Sequence, residues 1–115
     1  MNLSELAQKL REFAQERDWG QFHSPKNLSM ALSVEVAELV EHFQWLTEKQ
    51  STSLDAEEVA EISEEIADIQ IYLTRLADLL DVDIETAVTR KLEINAGKYP
   101  VAKAHGSALK STKLK

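Results

Sequence analysis

No cysteine occurs in the 115 residues, so neither a disulfide framework nor a thiolate metal site is available, and any metal must be held by oxygen or imidazole. Glycine and proline are scarce, at three and two, and β-branched residues do not cluster in alternation. That scarcity of breakers argues against a loop-rich or β-rich fold and for helix nearly throughout. No apolar run approaches the length of a membrane span, and Met1-Asn2-Leu3-Ser4-Glu5 shows no basic region leading into an apolar one. A cytoplasmic protein with no membrane partner is expected. Positive charge is short as well: the formal net charge is -7, which disfavours a general binder of nucleic-acid polymers. The basic residues that exist are unevenly placed. From Arg90 to Lys115 the chain carries Arg90, Lys91, Lys98, Lys103, Lys110, Lys113 and Lys115 against one acid, Glu93, a polarity suited to an anionic substrate.

The apolar periodicity predicts one all-α domain over residues 1–100 with four helices, followed by a basic, mobile or subunit-docking tail over 101–115. The first helix, about Leu3 to Arg17, follows Asn2 as N-cap and is ended by Asp18-Trp19-Gly20. Ser24-Pro25 opens the second, which is expected to reach about Leu46 along the stripe Leu28, Leu32, Val36, Leu39 and Phe43. Thr47 to Ser53 reads as a polar loop. Asp55 and Glu58 form a capping-box signature for the third helix, to about Leu80, with an expected seam of Ile62, Ile66, Ile69, Leu73, Leu76 and Leu80. Asp83 is the expected cap of a fourth helix that ends before Pro100 and turns Ile84, Ala87, Val88, Leu92 and Ala96 inward.

Two pairs of acids are set into this pattern, Glu35 with Glu38 and Glu65 with Asp68, each spaced i, i+3 and flanked by apolar residues. Such spacing puts both carboxylates of a pair on one helix face. An isolated pair is ordinarily a solvated face; two pairs on antiparallel neighbouring helices can face each other across the interface, as in a bundle-core metal site. Like charges beside a core are costly unless a cation lies among them. Oxygen-only ligands select Mg²⁺, with Mn²⁺ or Ca²⁺ as alternatives, and magnesium commonly bridges carboxylates to substrate phosphates. A di-iron carboxylate bundle would require Glu-x-x-His pairs, which neither Glu38-Leu39-Val40-Glu41 nor Glu65-Ile66-Ala67-Asp68 supplies. The remaining alternative is a noncatalytic helical interaction module whose acidic face binds a basic partner.

Aromatic residues gather near the acids. Trp19, Phe22 and His23 precede the second helix, Tyr72 lies one turn past Asp68, and on an uninterrupted second helix Asn27, Glu38 and Trp45 share one angular sector. Trp and Phe in a connection either plug the end of a bundle or form a base-stacking wall, and rings beside a cation site suit a nucleoside triphosphate. His23 and His42 are candidate ligands or acid/base groups.

The segments Arg17-Asp18-Trp19-Gly20-Gln21-Phe22-His23, Asn27-Leu28, Glu35-Val36-Ala37-Glu38-Leu39, Phe43-Gln44-Trp45, Glu64-Glu65-Ile66-Ala67-Asp68 and Ile71-Tyr72-Leu73 occur in one order. Together they resemble the MazG-type all-α nucleoside triphosphate pyrophosphohydrolases, closest to the single-domain dCTP pyrophosphatase branch, over about Arg17 to Pro100. The resemblance implies a four-helix fold that assembles as an obligate homodimer or homotetramer with sites completed between protomers. It implies Mg²⁺-dependent cleavage between the α and β phosphates of a nucleoside triphosphate substrate. By position, Glu35, Glu38, Glu65 and Asp68 match the metal-binding acids, with Glu38 favoured as the base. Trp19, His23, Trp45 and Tyr72 match positions around base and sugar, with Phe22 and Asn27 beside them. Lys91, Asn95, Lys98 and Tyr99 match, in turn, a phosphate contact, a nucleotide contact, a second phosphate contact and the pocket edge. His42 and Leu10 depart from the pattern, the first where relatives are apolar and the second where the eukaryotic branch is polar, and both departures bear on base preference.

Overall fold

A computed structural model describes all residues from Met1 to Lys115 and contains helices and no strands. The order is α1 (Leu3–Glu16), α2 (Pro25–Glu41), α3 (Glu48–Ser51), α4 (Ala56–Leu79), α5 (Ile84–Lys98) and α6 (Val101–Ala104), with 3₁₀ turns at Trp19–Gln21 and Ser111–Lys113. The chain divides into two compact units, Met1–Val82 and Asp83–Lys115.

In the first unit each helix start is fixed by a side chain that satisfies backbone donors with no partner in the first turn. Asn2 accepts from the Glu5 N–H at 2.8 Å, and Ser24 accepts from that of Asn27 at 3.1 Å, ahead of Pro25. The expected break after α1 is made by Asp18 at φ 51°, a left-handed residue at the position where glycine usually ends a helix. Gln21 Nε2 holds it by donating to the Asp18 carbonyl at 3.0 Å and to Oδ2 at 3.2 Å.

Helix α2 stops at Glu41, five residues short of the expected Leu46. From His42 the backbone tightens into turns, with the Phe43 N–H donating to the Val40 carbonyl and that of Leu46 to the Phe43 carbonyl, both at 2.9 Å. A new helix then begins inside the expected loop: Thr47 Oγ1 accepts from the Gln50 N–H at 3.1 Å, and Gln50 Oε1 accepts from the Thr47 N–H at 2.9 Å. This reciprocal pair is a Thr-x-x-Gln capping box, and it claims the chain for α3. A second box starts α4, with Asp55 Oδ1 accepting from the Glu58 N–H at 2.8 Å and Glu58 Oε1 from the Asp55 N–H at 3.3 Å. Asp55→Ala is expected to cost about 1 kcal/mol, read as a lower chemical-denaturation midpoint with an unchanged slope.

Helix α4 is the spine of this unit, with α1 and α2 packed against it. Leu28, Ala14, Ile62 and Ala77 are buried, together with Thr74 and Arg75. The expected α4 seam is only half right. Ile62, Ile69 and Leu76 turn inward, but they alternate with Glu65 and Tyr72, all part-buried or buried. Ile66, Leu73 and Leu80, together with Val59, repeat every seven residues on the outside and are 40% to 55% exposed. The acid-bearing face therefore points into the unit, and the outer apolar stripe has no cover from the rest of this unit.

The second unit is built on α5. Asp83 occupies the N-cap position with extended backbone, but its Oδ2 accepts from Thr86 Oγ1 at 2.8 Å and takes no helix N–H. Val88 and Leu92, expected inward, are exposed. After Pro100 the chain makes α6 and the last 3₁₀ turn, where the Ser111 N–H donates to Tyr99 Oη at 3.3 Å.

Candidate active site

The packing of α2 on α4 brings Glu35, Glu38 and Glu65 together, one carboxylate oxygen of each lying within 4.8 Å of the others. All three are half-buried. Oε2 of Glu35 and Oε2 of Glu65 are buried with no hydrogen-bond partner, a costly arrangement for an acceptor. Glu35 is held above the usual carboxylate range, first by its removal from water and then by its contact with Glu38, with the charges of Glu38, Asp68 and Glu65 adding to the effect. Glu65 is raised in the same way by burial and by Glu38, with Asp68 adding to it, against an opposing pull from His42, whose Nε2 lies 3.9 Å from Glu65 Oε1. Glu38 is thus the acid whose contact pushes both others upward. A hard divalent cation fits this set: three oxygen donors converge, two have buried oxygens without partners, and no softer ligand is among them. Asp68 belongs to the edge of the group; it is exposed and outside the 4.8 Å cluster, yet its charge reaches both Glu35 and Glu65.

Seven residues further along α4, about 10 Å at 1.5 Å per residue, Tyr72 lines a cavity of about 310 Å³. Trp19 and His23 line it as well, so three of the expected aromatic positions converge. Leu10 and Phe13 of α1 and Arg75 of α4 are also in its wall. The Trp19 ring stands edge-on to Phe13, with centroids 5.5 Å apart, and to His23 at 6.2 Å, which fixes the indole between them.

The other expected residues lie elsewhere. Phe22 is exposed outside the cavity wall. Asn27 spends its amide on the turn before α2, donating from Nδ2 to the Phe22 carbonyl at 3.1 Å, and its place in the angular sector of Glu38 leaves it about 16 Å away along the axis. Trp45 is past the end of α2, so it does not share that sector, and it is 87% exposed. Lys91, Asn95, Lys98 and Tyr99 belong to the second unit, where Lys91 lines an open cleft with Asp83, Thr86 and Arg90 and Tyr99 anchors the segment at Ser111.

A charge network around one buried arginine went unread in the sequence. Arg75 Nε donates to His23 Nδ1 at 3.3 Å, and its NH1 lies 3.5 Å from Asp78 Oδ2. Arg11 of α1 grips the same carboxylate twice, NH2 to Oδ1 at 2.7 Å and Nε to Oδ2 at 3.1 Å. The signal available was Arg75 itself, three residues past Tyr72 and therefore on the cavity face. The hydrogen bond from Arg11 holds Asp78 below its ordinary value, against the opposing effect of burial. A carboxylate with a depressed folded pKa stabilises above the unfolded value, 3.8, and loses that contribution as pH falls through the folded one. Asp78→Asn is accordingly expected to melt below the parent at neutral pH, with the gap closing as pH is lowered from about 4 in paired thermal melts.

The chain as a whole resembles known proteins. The chain is 45% identical over 114 residues to dCTP pyrophosphatase 1 of Mus musculus and 43% identical to that of Homo sapiens, in each case over 97% of this chain and 67% of the relative. Among solved structures, the crystal structure of a pyrophosphatase from Archaeoglobus fulgidus is 44% identical and superposes with a TM-score of 0.80, covering 84% of this chain and 91% of that one. Residues 30–114 match the model of the MazG-like family, and with these relatives the chain belongs to that family.

Proposed function

We propose that this chain is a nucleoside triphosphate pyrophosphohydrolase that hydrolyses dCTP or a related deoxynucleoside triphosphate between the α and β phosphates, giving the monophosphate and pyrophosphate. The observation that carries the reading is one α4 face that joins a three-carboxylate cluster with two unpartnered buried oxygens to an aromatic cavity about 10 Å away. A nucleoside and its phosphate chain span that distance, base in the cavity and phosphates at the acids.

Glu35, Glu38 and Glu65, with Asp68 at the edge, would hold Mg²⁺, for which Mn²⁺ can substitute. When bound, the cation neutralises phosphate charge and acidifies water. The chain's own residues do the rest. Trp19 and Tyr72 hold the base by stacking and contact area, and Glu38 Oε takes the proton from the attacking water. The α5 residues Lys91 and Lys98 carry phosphate contacts, Asn95 a nucleotide contact and Tyr99 the pocket edge. We further propose that the protein works as a homodimer or homotetramer, because the Val59, Ile66, Leu73, Leu80 stripe is apolar and uncovered. Trp45 then serves a site completed between protomers, which accounts for a tryptophan standing almost fully in water.

Thermal-shift titration tests the order of binding. Mg²⁺ alone is expected to raise the melting temperature, and dCTP to raise it further only with Mg²⁺ present, by about 2.7 kcal/mol of added stability at a hundredfold excess over Kd. A dCTP shift that is indifferent to Mg²⁺ contradicts the reading.

A further inference from the structure

We propose that Arg75 is a positioning residue that locks His23 as a neutral imidazole protonated at Nε2, so that the cavity presents a fixed hydrogen-bond donor to an acceptor atom of the bound nucleoside. This rests on the nucleotide reading of the cavity given above. Arg75 is only 8% exposed, and a guanidinium can donate but never accept. Its Nε–H points at His23 Nδ1 at 3.3 Å, so Nδ1 must offer a lone pair. A neutral imidazole carries one N–H; with Nδ1 accepting, that proton sits on Nε2. Protonating Nδ1 would set donor against donor and cation beside cation at the same distance.

The rest of the network keeps Arg75 from swinging away. Asp78 holds it from one side at 3.5 Å and is itself gripped by Arg11 through two hydrogen bonds. The charged and titratable groups facing His23 are Arg75 and Tyr72 of α4, with Asp78 and Arg11 behind Arg75; α1 brings the apolar Leu10 and Phe13 to the cavity. Burial, followed by the Arg75 charge, also lowers the tendency of His23 to protonate. Nε2 makes no hydrogen bond within the chain, and the ring lines the cavity. A free histidine would offer a mixture of donor, acceptor and cation near neutral pH. The locked ring offers one of these, and a base or sugar that presents a donor at that point is rejected with an unpaired N–H against it.

The test uses the full chain with ¹⁵N-labelled histidine. Long-range ¹H–¹⁵N spectra are expected to show His23 mainly protonated at Nε2 and bare at Nδ1 from neutral pH down through its ordinary value, 6.5, with its signals moving on addition of dCTP. In Arg75→Met the same ring is expected to titrate within that range. Loss of one fixed hydrogen bond should raise KM about fivefold to tenfold, more than it lowers kcat, and the double variant with His23→Phe should be no worse than His23→Phe alone. Arg75→Lys, which keeps the charge beside Asp78, guards against misreading a folding defect. A parent His23 that carries its proton on Nδ1, or becomes a cation near its ordinary value, overturns the lock. A correctly locked ring whose loss leaves KM unchanged in active protein overturns the donor role. Absence of hydrolysis with every nucleotide overturns the pyrophosphohydrolase reading instead, a failure seen in product release and separate from the ring's spectrum.

Discussion

Glu38→Gln is expected to lower turnover at least about a hundredfold and, in protein stripped of divalent cations at neutral pH, to raise the melting temperature. The two effects have one cause. Glu38 lies within 4.8 Å of Glu35 and Glu65 and pushes both toward the protonated state, while two buried carboxylate oxygens beside it find no donor. A glutamine of the same shape removes one of the crowded charges and supplies N–H groups, so the empty cluster becomes easier to fold around. The same exchange removes the proposed base and a cation ligand. Adding Mg²⁺ should therefore reverse the order of stability, raising the parent more than the variant. An acid that merely decorated the surface would change stability by no more than about 0.5 kcal/mol and leave turnover intact. Paired melts with and without Mg²⁺, run beside a turnover assay, separate these cases.

The double substitution Ile66→Asp with Leu73→Asp is expected to reduce the assembled protein to single chains and to remove activity with it. Val59, Ile66 and Leu73 of α4 and Leu80 at its C-cap recur every seven residues, the interval at which an apolar seam forms between helices. Met30 and Val34 of α2 are likewise exposed. Uncovered apolar area of this regularity on a long helix marks a contact surface, whereas scattered exposed side chains would not. Two aspartates in such a seam would each need a partner that the apolar opposite face lacks. Because both residues already face outward, the packing of α1 and α2 on α4 is untouched. Light scattering coupled to size-exclusion chromatography should report a halved or quartered mass; an unchanged mass with full activity would refute the assembly.

Three of the four long helices could be read from the sequence because their starts are written in local chemistry: Asn2, Ser24-Pro25 and Asp55 with Glu58 each satisfy backbone donors within three residues. Thr47 with Gln50 obeys the same rule, and reading it as loop is what carried Trp45 onto a helix that ends at Glu41. The rotation of the α4 seam has a different origin. Ile62, Ile69 and Leu76 and the outward Ile66, Leu73 and Leu80 belong to one wide apolar stripe, and periodicity does not say which edge is covered by the same chain. Taking both edges as one seam put Glu65 beside it, whereas Glu65 lies half-buried on the inward face between Ile62 and Ile69. Asp68 shares the spacing of the other acids, but one turn along the helix was enough to leave it in solvent. Arg75 was silent because an arginine in a helix is ordinarily a surface residue. Its burial makes sense only through partners 52 and 3 residues away, His23 and Asp78, the latter held in turn by Arg11 across 67 residues.

The central claim is the bond that is cut. Incubating the protein with dCTP and Mg²⁺, and quantifying pyrophosphate, orthophosphate and nucleotide products together, tests it most directly. Equimolar dCMP and pyrophosphate, with no dCDP or orthophosphate and no turnover once the cation is chelated, is the predicted result. Release of orthophosphate with dCDP, or turnover that survives chelation, would contradict it.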